Sequence, residues 1–499
     1  MGQRVSSAAG VLGVILWAAG PAAADLREQV SLQIAAAQLG TAIVAVSVRD
    51  AETGAALVAI NADELLIPAS NMKLLTTGAA LHTLGADFAF RTRLQRDGDR
   101  LIVTGDGDPG LGDPVLLGRM AFGDRPAMDV HSYLDLWVDP VVKAGLKRVS
   151  EIVVDDRIFD RRFVHPEWPV EQLNRRYCAE VSGLNFHLNI LHFYPKPGPG
   201  GRPDLDLFRP HAPWLEISNK ATIRAGVHDQ NNAWIARRHN TNLLTFYGNV
   251  KFPYRVPVPV TTHDMPAFFA RLFAVRLIAA GVEVGNYRVA DDRDPPASGQ
   301  VLGPILSTPI STALVRCNRD SQNLYAECLL KRIGVAVTKE PGSWANGRAI
   351  VRLVVRERLA DRNLAANIDV SDGSGLSRAN RVAAATLTAW LNTFHYDEEL
   401  GPIFIDSLAR AGATGTLARR FANVNLHGAV VQAKSGYIRA VSCLSGYVTM
   451  ADGGRRSFSI LINDLHEPDS VGKAKKVQEE IVAAIALDMV AAGAQLARP

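Results

Sequence analysis

Apolar and polar positions alternate over Ala42 to Val48 and again over Ala55 to Ile60, and the turn-forming Asp50-Ala51-Glu52-Thr53-Gly54 joins them, so the pattern predicts a β-hairpin. A helix is predicted before it, over Leu26 to Leu39, and another after it, over Pro68 to Leu84, opened by a proline that suits a first helical turn. From about Ala86 to Gly303 the texture changes to short strand-like runs such as Leu101 to Thr104 and Glu151 to Val154. Gly, Pro and Asp separate these runs, as in the loop Pro195-Lys196-Pro197-Gly198-Pro199-Gly200-Gly201, which predicts inserted β-rich material. Helical spacing returns over Ile310 to Asn318, Asn323 to Gly334, Gly347 to Arg358 and Ala383 to Phe394. A meander of strands follows at Val430 to Ile438, Ser442 to Met450 and Arg456 to Asn463, with a turn at Ala451-Asp452-Gly453-Gly454. The last predicted helix, Ser470 to Ala492, carries Ile481, Ile485, Leu487 and Met489 as a face expected to pack on the sheet rather than on a membrane.

Length and composition add boundaries to this picture. A chain of 499 residues, 47% hydrophobic and 21% charged, suits a globular protein of two or more domains. Its 54 basic and 50 acidic side chains are spread out and include no dense Lys/Arg block, which argues against a nucleic-acid partner. Arg4, the apolar run Ala8 to Ala19 and Pro21-Ala22-Ala23-Ala24 read as an export signal over residues 1–24, cleaved after Ala24. Beyond it no uninterrupted stretch approaches the ~20 apolar residues of a membrane helix. An exported protein with no transmembrane anchor after signal removal is therefore expected.

Cys178, Cys317, Cys328 and Cys443 allow three disulfide pairings or none, and as buried thiols they need no partner. No CxxC or HExxH spacing occurs; His187 with His192 reads as a structural pair, and Asp106-Gly107-Asp108-Pro109 with Asp113 reads as a turn rather than a calcium loop. No metal or cofactor is expected.

The candidate chemistry lies in three short segments. Ser70-Asn71-Met72-Lys73 puts a hydroxyl at a helix start and an amine one turn on, on one face, the arrangement of a nucleophile with its base. A second Ser-x-x-Lys, Ser470 to Lys473, shows that this pattern alone discriminates little. Ser321-Gln322-Asn323 is the chain's only Ser-x-Asn, at a helix-loop-helix junction, and Lys434-Ser435-Gly436 its only Lys-Ser/Thr-Gly, inside an apolar strand and followed by Tyr437. A glycine there lets a substrate backbone approach, and a lysine in a strand suited to burial needs a reason. Ser374, in Asp372-Gly373-Ser374-Gly375-Leu376, fails the Gly-x-Ser-x-Gly elbow at both outer positions and reads as part of a glycine-rich turn near the cleft.

In this order the segments match the motif set of the penicillin-recognising serine enzymes. The chain resembles more specifically the low-molecular-mass class C penicillin-binding proteins, the D-Ala-D-Ala carboxypeptidase/endopeptidase family. The likeness includes Pro68-Ala69-Ser70-Asn71-Met72-Lys73-Leu74, Gly105-Asp106-Gly107-Asp108-Pro109 and Asp155-Asp156-Arg157-Ile158-Phe159-Asp160. It extends to Ala326-Glu327-Cys328-Leu329-Leu330, Asp372 to Ser377, Ala411-Gly412-Ala413-Thr414-Gly415-Thr416-Leu417 and the strand ending in Asn463. The gap of 251 residues between Ser70 and Ser321 accommodates that family's large insertion, whereas β-lactamases have shorter connections.

The resemblance implies an α+β multidomain fold. A β-lactamase/transpeptidase-like catalytic domain, residues 25–86 plus 302–499, would be split by β-rich insertion over 87–301. It implies acylation of Ser70, Lys73 as proton acceptor and Ser321 as relay to the leaving amine. Asn323 would hold the substrate backbone, and Lys434, Ser435 and Gly436 would line the site of its terminal carboxylate. The backbone N–H groups of Ser70 and Tyr437 would form the oxyanion hole. The implied substrates are peptidoglycan stem peptides and the implied inhibitors β-lactams, with no cofactor. Ser435 stands where the family more often has threonine, and the stretch His187 to Pro213 departs most from the family. The alternatives are a β-lactamase or esterase of the same superfamily, separated by fast turnover of penicillin, and a non-catalytic envelope-binding protein, which has no need of a nucleophile and its base together.

Overall fold

A computed structural model describes residues 25–119, 128–223 and 230–496. The expected export signal lies outside them. A six-stranded antiparallel sheet is assembled from the two ends of the chain, in the order Ala409–Arg410, Val430–Ile438, Val441–Thr449, Arg455–Asn463, Ile43–Asp50, Ala56–Ile60. Both of its faces are covered. Along Ile43–Asp50, Val44, Val46 and Val48 point into one core, shared with the helices Leu26–Ala36 and Ser470–Leu496, while Ala45 points into the other. Strands buried on both sides lose the clean polar alternation of a half-exposed sheet, which is why Val441–Thr449 is buried over nearly its whole length.

The second core surrounds the helix Met72–Leu84, in which every residue from Met72 to Leu81 is buried. A helix apolar on all sides must be central, and its few polar groups are satisfied locally. Thr76 Oγ1 donates to Gly373 O at 2.8 Å and Thr77 Oγ1 to Lys73 O at 2.6 Å. The indole of Trp390, from the helix Ala384–His395, donates to Leu74 O at 3.0 Å.

Between residues 89 and 309 most elements are short strands, joined by helices that the sequence pattern did not single out. Glu283–Val289, Arg148–Asp155 and Arg100–Thr104 lie side by side in parallel, with Ala89–Asp97 antiparallel next to them and Gln300–Val301 and Leu306–Pro309 antiparallel on its far edge. Parallel neighbours require a crossover, usually a helix. Two helices of this region, Val130–Lys143 and Met265–Ala279, lie on those crossovers. The second is apolar around most of its circumference, with Phe268, Phe269, Leu272, Phe273 and Leu277 buried, so no helical stripe stands out in its sequence. Two three-stranded sheets and the two-stranded ladder of Lys196–Pro197 with Pro203–Asp204 lie in the same region. From the stretch between the strands Arg148–Asp155 and Ile190–Phe193, Phe159, Trp168, Leu173, Cys178 and Val181 join the core around Met72–Leu84.

At the C-terminus, Ile481 and Ile485 are buried as expected, but Leu487 is 46% exposed. It lies half a turn away from the line that Ile481 and Ile485 follow. No helix among the described residues is long and apolar enough to cross a membrane. Cys178, Cys317, Cys328 and Cys443 are free buried thiols.

Gly375 has φ +82°, and a Cβ there would lie 1.8 Å from Ala69 O, directly beneath the start of the Met72–Leu84 helix. Gly375→Ala is expected to destabilise the fold by about 2–4 kcal/mol, from left-handed backbone strain plus overlap. A melting temperature equal to that of the parent would contradict this packing.

Candidate active site

The chain enters the Met72–Leu84 helix through a short 3₁₀ turn, Ala69–Asn71, and Ala69 has φ +45°. The turn is pinned on both sides. Asn71 Nδ2 donates to Ser445 Oγ at 2.7 Å, and Gly436 of the strand Val430–Ile438 lies so close that an added Cβ would sit 2.9 Å from Pro68 O and 3.1 Å from Ser70 N. Only a glycine allows the strand to approach the serine this closely. Lys73 Nζ donates to Ser70 Oγ at 3.0 Å, to Asn323 Oδ1 at 2.7 Å and to Ser374 O at 2.8 Å, and the side chain is fully buried.

The junction between the helices Ile310–Asn318 and Asn323–Thr338 brings in the second segment. Ser321 adopts φ +58°, a left-handed conformation uncommon for serine, and its Oγ receives a hydrogen bond from Lys434 Nζ at 2.9 Å. Asn323 opens the second helix; its Oδ1 is taken by Lys73, while Nδ2 donates to Tyr177 O at 2.8 Å and has a second N–H to spare. The buried Arg316 anchors the junction, with Nε 2.8 Å from Asp113 Oδ2, where the Tyr325 hydroxyl also donates at 2.7 Å. Asp113 and its loop thus serve as a structural clamp. Asp108 accepts from Gly110 N at 2.7 Å and Thr308 Oγ1 at 2.9 Å, and burial pushes its carboxyl up to about 7.

The third segment lies on the sheet. Ala409–Arg410 pairs with Val430–Ile438 only at Gln432 and Ala433. Among the described residues the outer edge from Lys434 to Ile438 therefore has no partner strand and faces the cleft. Lys434 is fully buried and donates to Ser321 Oγ and, at 2.7 Å, to Ser435 O. Ser435 Oγ donates to Thr416 Oγ1 at 2.8 Å, and Tyr437 is 58% exposed at the cleft wall. The expected residues Ser70, Lys73, Ser321, Asn323, Lys434, Ser435, Gly436 and Tyr437 therefore converge on one place. The cleft above them has a volume of about 1160 Å³ and is walled partly by Tyr177, Arg378 and Arg439.

Electrostatics follow from the burial of two amines side by side. Burial pushes Lys73 below the ordinary 10.5, while Cys317, Glu327 and Asp372 act in the opposite sense. Lys434 lies well below 10.5, first through burial and second through the like charge of Lys73. Beneath Lys73, Glu327 is fully buried, and burial together with Asp372 raises its carboxyl to about 7. Asp372 accepts from Gly375 N at 2.8 Å, Ser377 N at 2.7 Å, the Trp168 indole at 2.9 Å and Asn380 Nδ2 at 2.8 Å. It holds the expected glycine-rich turn in the shape that presents Ser374 O to Lys73.

The second Ser-x-x-Lys lies elsewhere. Ser470 is buried at the start of the C-terminal helix, and the exposed Lys473 reaches only Gln38 O at 3.4 Å. His187 and His192 meet edge to face at 4.9 Å, and burial lowers them to about 4 and about 3. Among the described residues no group of three or more His, Cys, Asp or Glu is placed to hold a metal ion. Sequence reasoning assigned no role to Glu327, Thr416 or Tyr177. Glu327 and Thr416 lie in stretches that carried the family likeness, but only tertiary contact connects them to the site.

A serine whose amine comes from the next helical turn, set against a lysine on a sheet edge, is the arrangement of the penicillin-recognising serine enzymes, and the surrounding fold is theirs as well. Residues 26–485 match the D-Ala-D-Ala carboxypeptidase 3 (S13) family, and the chain belongs to that family. The D-alanyl-D-alanine carboxypeptidase of Actinomadura sp. (strain R39) is 31% identical over 481 residues, 91% of this chain and 85% of that protein. The D-alanyl-D-alanine carboxypeptidase DacB of Haemophilus influenzae is 24% identical over 432 residues, 83% of this chain and 84% of that protein. The crystal structure of penicillin binding protein 4 (dacB) from Haemophilus influenzae matches with a TM-score of 0.72 at 20% identity, covering 91% of this chain and 99% of that one, a likeness of fold. The family and the mixed α and β fold expected from the sequence are those found.

Proposed function

We propose that the protein is a serine D-Ala-D-Ala carboxypeptidase that cleaves peptidoglycan stem peptides through an acyl-enzyme on Ser70 and is inhibited by β-lactams. The observation that carries this reading is the buried Lys73 amine 3.0 Å from Ser70 Oγ, with its ordinary basicity lowered by desolvation. Neutral Lys73 takes the Ser70 proton as Oγ attacks the carbonyl of the penultimate D-Ala. The oxyanion sits between the N–H groups of Ser70 and Tyr437, where one such donor contributes about 3 kcal/mol. Ser321, resupplied from Lys434, hands a proton to the departing D-Ala amine, and water then releases the peptide from Ser70. The spare N–H of Asn323 is available to the substrate backbone.

The two buried amines suggest how substrate sets the protonation state. An incoming terminal carboxylate at Lys434 and Ser435 favours the charged form of Lys434. The added positive charge disfavours a proton on Lys73, which leaves the base free when substrate is present. The cleft exceeds the ~300–1,000 Å³ of ordinary small-molecule sites. Its size supports endopeptidase action on crosslinks by the same chemistry with a longer leaving group. We further propose residues 25–86 and 302–499 as the catalytic unit, 87–301 as its insertion, and export to the periplasm after removal of residues 1–24.

The test compares release of D-Ala from a stem peptide ending in D-Ala-D-Ala with release of D-alaninamide from the same peptide carrying a C-terminal amide. The free acid is expected to react at least about tenfold faster, because a charge-assisted hydrogen bond is lost with the amide. Absence of D-Ala release together with rapid turnover of penicillin would transfer the protein to the β-lactamase reading.

A further inference from the structure

Glu327 accepts from the backbone amides of both Gly373 and Ser374, in the turn behind Lys73. It lies on the first turns of the helix that Asn323 opens, and its side chain is fully buried. Its Oε1 accepts from Ser374 N at 2.8 Å, and its Oε2 accepts from Gly373 N at 3.0 Å and from the Trp344 indole at 2.8 Å. The carbonyl of the same Ser374 accepts from Lys73 Nζ. The peptide that Glu327 holds by its N–H is thus adjacent to the carbonyl that holds the amine, and Asn323 on the same helix holds that amine from another side.

We infer that Glu327 is a positioning residue for the acylation step, fixing the Gly373-Ser374 backbone so that Lys73 stays on Ser70 and adding a negative charge that stabilises the protonated form of that amine. This rests on the acyl-enzyme reading of Ser70. The chemistry requires an acceptor at every contact. All three partners are N–H donors, so a glutamine in either amide orientation turns an NH₂ group toward at least one of them. A buried donor left unmatched destabilises the turn. The ionisable groups facing Glu327 are Asp372 from the turn, Lys73 from the nucleophile helix, Cys317 from the preceding helix, and Cys328 and Lys331 from its own. Burial keeps both thiols protonated, since Cys317 is pushed up to about 12 and Cys328 well above its ordinary value. The charges that matter are therefore the two carboxylates and the two lysines, of which Lys331 is engaged by Asp160 Oδ1 at 2.6 Å.

The experiment measures the rate of acylation by a fluorescent penicillin as a function of pH, in the protein spanning residues 25–499 and three variants of it. Glu327→Gln is expected to slow acylation by about tenfold to a hundredfold, the range for a small displacement of a catalytic group. Its acid limb should move to lower pH, because a charge that favours the ammonium form of Lys73 is gone. Glu327→Asp keeps the charge but is too short to hold both amides, so it should slow acylation with the limb left in place. Trp344→Phe removes one donor from Glu327 and touches no group of the reaction; it should slow acylation several-fold without weakening the initial non-covalent complex.

A Glu327→Gln enzyme with the parent rate, or a slow one with the limb unmoved, overturns the inference. If Glu327→Gln does not fold, an unchanged acylation rate in Trp344→Phe overturns it instead. Failure of the parent to be labelled at Ser70 is a different result, which removes the acyl-enzyme reading itself.

Discussion

Ser70→Ala is expected to abolish both D-Ala release and covalent labelling by a fluorescent penicillin, a loss of at least about 10³-fold in rate. The substitution removes one hydroxyl and little else. Lys73 keeps its bonds to Asn323 Oδ1 and Ser374 O, and the 3₁₀ turn keeps its hold on Ser445 through Asn71, so the variant should melt close to the parent. Ser470→Ala is the matching control, because that serine is buried at a helix start and its lysine points to solvent. Full labelling of Ser470→Ala beside none of Ser70→Ala is the expected pair of results. Label retained by Ser70→Ala would show that another nucleophile carries the reaction.

Lys73→Met is expected to slow acylation by about 10²- to 10⁴-fold, the usual contribution of a positioned general base. Methionine nearly matches the length of the stem and has no charge to desolvate, so the pocket is filled but the proton acceptor is absent. The cost appears in the neighbours: Asn323 Oδ1 and Ser374 O lose their donor, and Glu327 and Asp372 lose a neighbouring cation. The Glu327 carboxyl, already raised by burial, should then take up a proton more readily. The pH dependence has a definite sign. Burial lowers the Lys73 pKa below 10.5, so the base form appears as pH rises through that depressed value, and the parent rate rises with it. In Lys73→Met that limb should vanish. Stopped-flow acylation between about pH 6 and about pH 10 reads both effects, and a variant with the parent's limb would place the general base elsewhere.

Much of this site was legible because its three segments are local patterns with local physical reasons. The strand Val430 to Ile438 and the helix Ile310 to Asn318 appear with the bounds their periodicity predicts. In both, the pattern is strong and the ends are sharply marked, by Pro309 in the second case. The helix read from Gly347 begins three residues earlier, at Trp344, because Ser343 and Asn346 form a reciprocal cap in which asparagine replaces the usual Glu or Gln. The helices Val130–Lys143 and Met265–Ala279 were hidden for a different reason. The first does carry an apolar stripe, Val130, Tyr133, Leu134, Trp137, Val138 and Val141, but Pro140 interrupts its last turn, whereas the second is buried nearly all round and shows no stripe; the parallel pairing that demands them becomes visible only in three dimensions.

The same limit applies within the site. Ser70 and Lys73 are one helical turn apart and announce themselves, whereas Glu327 acts on Lys73 through residues 373 and 374, a relation no spacing reveals. Thr416 meets Ser435 across 19 positions, by way of the short strand Ala409–Arg410 and the loop after it. A serine in place of the family's more frequent threonine at 435 keeps the hydroxyl that Thr416 receives.

The most direct measurement is the position of the covalent bond itself. The purified protein is treated with benzylpenicillin, digested, and the peptides are sequenced by tandem mass spectrometry. A penicilloyl group on the side-chain oxygen of residue 70, and on no other residue, is the result this account predicts. A penicilloyl group on any other serine, Ser374 or Ser470 included, with residue 70 unmodified, would contradict it.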